Sequence, residues 1–188
     1  MATLFALLAV VAYFVAAASM TGRFFHNQGP NRMFALSIAA IAVLCHSIFL
    51  GDAILAAQAG QNMSITNVLS LVAWLITLSM LVSNSLLPNV ILLPVVFGFA
   101  GFSVLASAFI PVEHIMHIEL RPGLVVHITL SLFAYGTLVI GFLYALQMSY
   151  ITHQLKHKGA SILHSSLPPL MLVEGILFKL ILIGTILL

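Results

Sequence analysis

Residues 33–51 read MFALSIAAIAVLCHSIFLG, nineteen positions with no Asp, Glu, Lys or Arg and with a histidine, His46, near the end. A helix needs roughly 20 apolar residues to cross the hydrocarbon core of a bilayer, so this stretch reads as a membrane span. Stretches of the same kind recur at about 3–21, 67–83, 90–110, 123–150 and 170–188. The fifth is overlong and is expected to tilt or to extend past the membrane surface. Spanning β-strands show up as alternating segments of about ten residues, and none is visible here. The expected fold is therefore all-α: a polytopic membrane helix bundle of about six transmembrane helices, a single domain over 1–188 without internal repeat or linker.

Composition points the same way. Of 188 residues, 62% are hydrophobic and 5% are charged. A soluble domain carries about 25% charged residues, so lipid is the solvent that suits this chain. Its six basic and four acidic residues are spread thinly. No Lys/Arg cluster is dense enough to grip nucleic acid, which excludes that class of partner. Cys45 is the one cysteine, so neither an intrachain disulfide nor a CxxC redox or zinc motif is available. The first twenty residues end in small side chains from Ala16 to Ser19 but lack the basic start of a secretory signal. They read as the first span.

Turn chemistry separates the spans. Gly29-Pro30-Asn31, Gly60-Gln61-Asn62 and the run from Asn84 to Asn89 with Pro88 mark the first three connections. Pro111 ends the fourth span, Arg121-Pro122-Gly123 opens the fifth, and Pro168-Pro169 precedes the sixth. Arg23 and Arg32 fall in the first loop and Lys156 and Lys158 in the fifth, whereas the even loops hold only Arg121. By the positive-inside rule the odd loops are cytoplasmic and the N-terminus is outside.

Histidine is the polar residue that calls for explanation. His26, His114, His153, His157 and His164 fall in loops, where a solvated imidazole is the ordinary reading. His117 is also in a loop, and with His114, Glu113 and Glu119 it forms a weaker candidate for a metal or a propionate at the outer surface. His46 and His127 lie inside spans, where an ionisable group is costly unless it faces protein or ligand. The structural alternative is a neutral ring hydrogen-bonded to a neighbouring backbone or serine.

The two positions taken together bear on the choice. His46 lies five residues before Gly51, near the outer end of the second span, and His127 lies four residues after Gly123, where the fifth begins. At 1.5 Å per residue both rings come roughly 6–8 Å below the outer surface. Two imidazoles at matched depth on antiparallel helices can clamp a metallomacrocycle from both faces, as in bis-histidine haem within a helix bundle. Ala35, Ala39 and Ala42 share the His46 side of the second span and leave room for either a porphyrin or close helix packing. His127, Ser131, Ala134 and Tyr135 share a face of the fifth. The expected cofactor site is thus His46, His127, Ser131 and Tyr135, with His46 and His127 as iron ligands to a non-covalent, b-type haem. Asp52 reads as an interfacial residue, Trp74 as packing, and Glu174 and Lys179 as polar positions on the last span, five residues apart.

These residues bring a family into view. The run His127-Ile-Thr-Leu-Ser131-Leu-Phe-Ala134-Tyr135 resembles a helix of the cytochrome c assembly protein family, the CcsA/CcmC/HemX-like group. Leu167-Pro168-Pro169-Leu170, Glu174, Leu177-Phe178 and Leu180-Ile181 resemble its YpjD/HemX-type branch of inner-membrane proteins. Cys45-His46, Ala73-Trp74-Leu75 and Leu92-Leu93-Pro94 follow in matching order. The resemblance implies haem handling in the bacterial inner membrane with intramembrane histidines as ligands, which falls on His46 and His127. The tryptophan-rich loop of the family's haem-delivery members is missing here, since Trp74 is the single tryptophan, so delivery to apocytochrome c is not expected. Branch members look longer, so a chain stopping at Leu188 inside an apolar run reads as a short or truncated member.

The leading expectation is a non-enzymatic, multi-pass protein of the bacterial inner (plasma) membrane that binds haem and assists cytochrome c assembly or haem trafficking. Its expected partners are lipid, haem and other cytochrome-maturation or haem-pathway membrane proteins. The alternative is a cofactor-free membrane scaffold or regulator of such a partner. A b-type electron carrier often uses two haems and four histidines, and the spans offer two. No HExxH, GxSxG or P-loop supports a hydrolase or transferase.

Overall fold

The computed structural model describes residues 2–24, 31–55, 60–86, 91–110, 112–117, 122–158 and 170–188. The expected turns at Gly29-Pro30, Pro88, Pro111, Arg121 and Pro168-Pro169 lie outside the described residues, as do His26, His164 and Glu119. The side chains of Arg23, His157 and Lys158 lie outside them too.

Six helices are present among the described residues: α1 (Ala2–Phe24), α2 (Arg32–Leu55), α3 (Ile65–Leu86), α4 (Leu93–Phe109), α5 (Pro122–Lys158) and α6 (Leu170–Leu187). All but α4 are long and apolar enough to cross a membrane. At 17 residues, α4 is about 25 Å long, near the lower limit of a span. It opens with Pro94 in its first turn, where a missing N–H costs nothing. The 37 residues of α5 make it about 55 Å long, well beyond the hydrocarbon thickness. The protein is an all-α polytopic membrane protein.

Three boundaries depart from the sequence reading. Asn84, read as the start of a loop, is a buried residue inside α3. The Arg32 guanidinium donates to its carbonyl, a favourable place for a cation because the C-terminal carbonyls of a helix carry negative charge. α2 continues through Gly51 and Asp52 to Leu55, and α5 runs eight residues past Tyr150 to Lys158.

The chain divides into two compact units, 1–129 and 130–188. In the first, α1 packs on α2 and α4, and α3 packs on α2 and α4, so the four helices close into a ring. Its core is a seam of small side chains. Ala6, Ala9, Tyr13, Ala16 and Met20 recur every three or four residues along α1, and Ala35, Ala39, Ala42 and His46 do so along α2; all are buried. Small residues let helix backbones approach closely, which in lipid substitutes for the hydrophobic drive available in water. The alanine stripe of α2 is therefore packed against protein. Gly101 of α4 extends the same logic, because a Cβ there would stand 3.1 Å from the Phe14 ring. Outer faces carry Leu7, Val11, Leu44, Ile48 and Phe102, as a lipid-facing surface requires.

A two-residue antiparallel pair, β1 (Gln61–Asn62) with β2 (Ile115–Met116), joins the α2–α3 connection to the segment after α4. The pairing places both segments at one end of the four-helix unit, so α3 and α4 run away from that end and back. Gly60 allows the approach. Its φ is +140°, and a Cβ would stand 2.7 Å from the Met116 carbonyl oxygen, a conformation and a clearance that favour glycine. In the second unit, Gly184 of α6 faces Leu138 of α5 with no room for a side chain, and Val173 and Leu177 are buried.

Candidate functional site: a buried histidine between three helices

His46 is fully buried, with 0% of its surface exposed. Its place follows from the spacing of α2: four residues beyond Ala42 and seven beyond Ala39, it falls on the seam that faces α1. Nδ1 lies 3.2 Å from the Tyr13 hydroxyl on α1, and Nε2 lies 2.9 Å from Ser70 Oγ on α3. Both ring nitrogens are therefore satisfied by neighbouring helices, which is what makes a buried imidazole tolerable where an unpaired polar atom costs about 1–3 kcal/mol.

Aromatic rings complete the enclosure. The Tyr13 ring meets His46 edge-on, at 5.8 Å between centroids and 86° between planes. Behind it, Phe97 of α4 stacks on Tyr13 at 6.5 Å, and Phe49 lies 6.5 Å from the His46 ring one turn further along α2. Thr77 of α3 donates its hydroxyl to the Ala73 carbonyl at 2.8 Å.

Trp74 ties the same two helices together. Its indole N–H reaches Ser47 Oγ at 2.9 Å and the Val43 carbonyl at 3.3 Å. Ser70 and Trp74, one turn apart on α3, thus hold His46 and Ser47 of α2. An apolar pocket of about 140 Å³ opens on the α1–α4 seam, lined by residues including Ala6, Val10, Leu105 and Phe109, and His46 is not among its lining residues.

The other expected site residues lie on α5. His127 is exposed in its second turn, Ser131 is half-buried and Tyr135 is exposed, while Ala134 is buried. Among the described residues, no hydrogen bond or ring contact of His46 goes to His127. Depths measured from helix ends also differ. His46 stands nine residues from the end of α2, about 14 Å, and His127 five from the start of α5, about 8 Å. The expected depth of His46 was counted from Gly51, and α2 continues past it to Leu55.

At the end that carries β1 and β2, the expected histidine pair is accompanied by a polar network. His114 and Glu113 are exposed, and the described residues contain no group of three or more His, Cys, Asp or Glu side chains able to hold a metal. Asn62 and Asn67 organise the region. Asn62 Oδ1 accepts from the Ser64 and His114 amides. Asn67 donates to the Ala53 and Asn62 carbonyls and accepts from Ser107 Oγ at 2.6 Å. Asp52 and Lys179 are exposed and Glu174 is half-buried.

Sequence reasoning missed Tyr13 and Ser70, the two side chains that hold His46. The available signals were a tyrosine at helical spacing on the alanine stripe of the first span, and a serine one turn before the only tryptophan.

Fold and site define a polytopic membrane helix protein organised around one histidine enclosed between helices. The chain belongs to the Cytochrome C assembly protein family, whose model matches residues 33–188, from the start of α2 through α6. Across 185 residues it is 43% identical to the inner membrane protein YpjD of Escherichia coli strain K12, an alignment spanning 98% of this chain and 70% of the relative. The proteins of that name from strains O6:H1 and O157:H7 give the same figures. No solved structure matches. This is a multi-pass protein of the inner membrane.

Proposed function

We propose that the chain handles haem in the service of cytochrome c assembly, holding it non-covalently as a b-type haem, with His46 and His127 as the iron ligands. The observation that carries this reading is the fully buried His46 ring, held at Nδ1 by Tyr13 inside the part of the chain that matches the family. Metal-ligating histidines characteristically have their second nitrogen held by a protein oxygen, which fixes ring orientation. The imidazole is a suitable donor to the iron, but Ser70 Oγ stands at its Nε2 and three helices close around the ring, so ligation requires these helices to part. When bound, the haem supplies an iron that accepts two imidazoles and carries one electron.

The chain's own residues bind, orient and exclude water. His46 offers Nε2 from the protein interior and His127 offers a ring from the exposed side of α5. Ser131 and Tyr135, one and two turns beyond His127, belong to the proposed binding surface. The helices around His46 keep water from its ring nitrogens. No step in this role makes or breaks a covalent bond, so the function is carriage rather than catalysis. Its partners are other cytochrome-maturation or haem-pathway proteins of the same membrane.

One observation favours a second reading. Both nitrogens of His46 already have protein partners, as expected of a cofactor-free scaffold or regulator whose histidine pins three helices. Absorption spectra separate the two. Protein purified in mild detergent should show a low-spin spectrum with a sharp reduced α-band, weakened or lost in His46→Ala and in His127→Ala. A colourless protein that takes up no added haem removes the haem reading and leaves the scaffold.

A further inference from the structure

Within the second unit α5 and α6 pack antiparallel, and their contacts fix how far each reaches. A Cβ on Gly141 would stand 3.7 Å from Cβ of Leu180, and one on Gly184 would meet Leu138. Residue numbers therefore fall along α6 as they rise along α5. Eleven residues separate Gly141 from Thr152, and ten separate Leu180 from Leu170, where α6 begins. Thr152 thus comes level with the start of α6, and the rest of α5 runs beyond it. The 18 residues of α6 are about 27 Å long, close to the thickness of the hydrocarbon core. Residues of α5 past Thr152 accordingly stand at the depth of lipid headgroups.

A groove of about 410 Å³ follows this exit. Among the described residues, Ala145 and Met148 of α5 and Leu177 of α6 line its inner part, and Ser149, Thr152, His153 and Lys156 of α5 line its outer part. Ala145, Ser149, Thr152 and Lys156 follow one another at spacings of four, three and four residues, which puts them on one helix face. Over about 16 Å that face passes from methyl to hydroxyl to ammonium. Thr152 commits its hydroxyl proton to the Met148 carbonyl at 2.8 Å. Ser149 keeps a hydroxyl donor for the groove, and the Lys156 ammonium brings three. No acidic side chain is among the described residues that line it.

A slot that is apolar inside and cationic at its mouth selects a ligand with the same division. We infer that this groove binds an anionic phospholipid, with its phosphate oxygens at Lys156 and Ser149 and an acyl chain against Ala145, Met148 and Leu177. Leu177 lies seven residues inside α6, about 10 Å into the apolar layer, where a free phosphate ion gains nothing and an acyl chain is at home. The C-terminal carbonyls of α5 disfavour an anion, so the phosphate depends on the side-chain charge. One basic group near the membrane surface contributes about fivefold to the affinity for an anionic lipid. The site is independent of haem.

The experiment is native mass spectrometry of the full chain in detergent, counting lipid retained as phosphatidylglycerol or the zwitterionic phosphatidylcholine is added. Wild type should retain phosphatidylglycerol in preference to phosphatidylcholine. Lys156→Gln should bind phosphatidylglycerol about fivefold more weakly and lose the preference. Ala145→Phe, which keeps every charge and narrows the inner part, should weaken retention of phosphatidylglycerol. Lys179→Gln is the control, because Lys179 is exposed on α6 and outside the lining, and it should bind as wild type does. Equal losses in the two lysine variants, no loss in either, or a wild type without preference overturns the site. Excess inorganic phosphate should leave the bound lipid in place. Displacement by phosphate, or an Ala145→Phe variant that binds like wild type, overturns the phospholipid as occupant.

Discussion

Ser70 Oγ on α3 stands 2.9 Å from Nε2 of His46 on α2, and that contact joins the helix packing of the four-helix unit to its most deeply buried imidazole. One turn further along α3, Trp74 grips Ser47. These two polar rungs hold α2 and α3 in register between the Asn67–Ala53 bond at one end and the Arg32–Asn84 bond at the other, and the first of them holds the atom proposed to meet iron.

The sole tryptophan makes this interface observable. Trp74 donates to the residue next to His46, so haem bound at His46 should quench most of the intrinsic tryptophan emission by energy transfer. In His46→Ala the same addition should leave the emission largely intact. Equal quenching in both proteins places the haem elsewhere. Trp74→Phe should cost about 1 kcal/mol of stability, since interhelical hydrogen bonds in membranes average about 0.6 kcal/mol each, measured by denaturant titration in mixed micelles.

Close packing of the α2 stripe gives a second outcome. Ala39 is fully buried against protein, and leucine there adds three heavy atoms to a filled seam. Ala39→Leu should destabilise the fold by about 1–3 kcal/mol. A variant as stable as wild type indicates an open space on this face instead, the alternative in which a porphyrin lies along the stripe.

At Gly60, where φ is +140° and a Cβ meets the Met116 oxygen at 2.7 Å, alanine is both strained and obstructed. Gly60→Ala should cost about 1–3 kcal/mol and speed hydrogen exchange at the Met63 amide, which bonds the His114 carbonyl. Gly51→Ala is the matched control, since nothing lies within 4 Å of a Cβ there. Equal effects from the two would mean that the β1–β2 pair does not constrain the chain.

Topology follows from the sparse basic residues. With the N-terminus outside, Ile115→Cys, exposed on β2, should react with an impermeant maleimide in intact cells, whereas Lys156→Cys near the end of α5 should react only after permeabilisation. The reverse pattern inverts the orientation. Cys45, half-buried within α2, should react slowly in either case.

What could be read from the sequence was whatever composition and period determine. Six apolar runs gave six helices, and Gly60 marked the turn before α3. Asn84 and Asp52 misled because a polar residue can end a hydrophobic run without ending a helix: the carbonyl of Asn84 is taken up by Arg32, and Asp52 is exposed. His46 was legible as an anomaly, a costly group in an apolar run. Its partners were not, because Tyr13 and Ser70 lie 33 and 24 residues away in the chain. Their meeting depends on which helix faces pack, which hydropathy does not encode.

The central claim is that His46 and His127 ligate haem iron, and the most direct measurement of it is low-temperature electron paramagnetic resonance of the ferric, haem-loaded protein. The account predicts a low-spin signal of the bis-imidazole type in wild type that converts to a high-spin signal in both His46→Ala and His127→Ala. A low-spin signal that persists unchanged in either variant, or a high-spin signal in wild type, would contradict it.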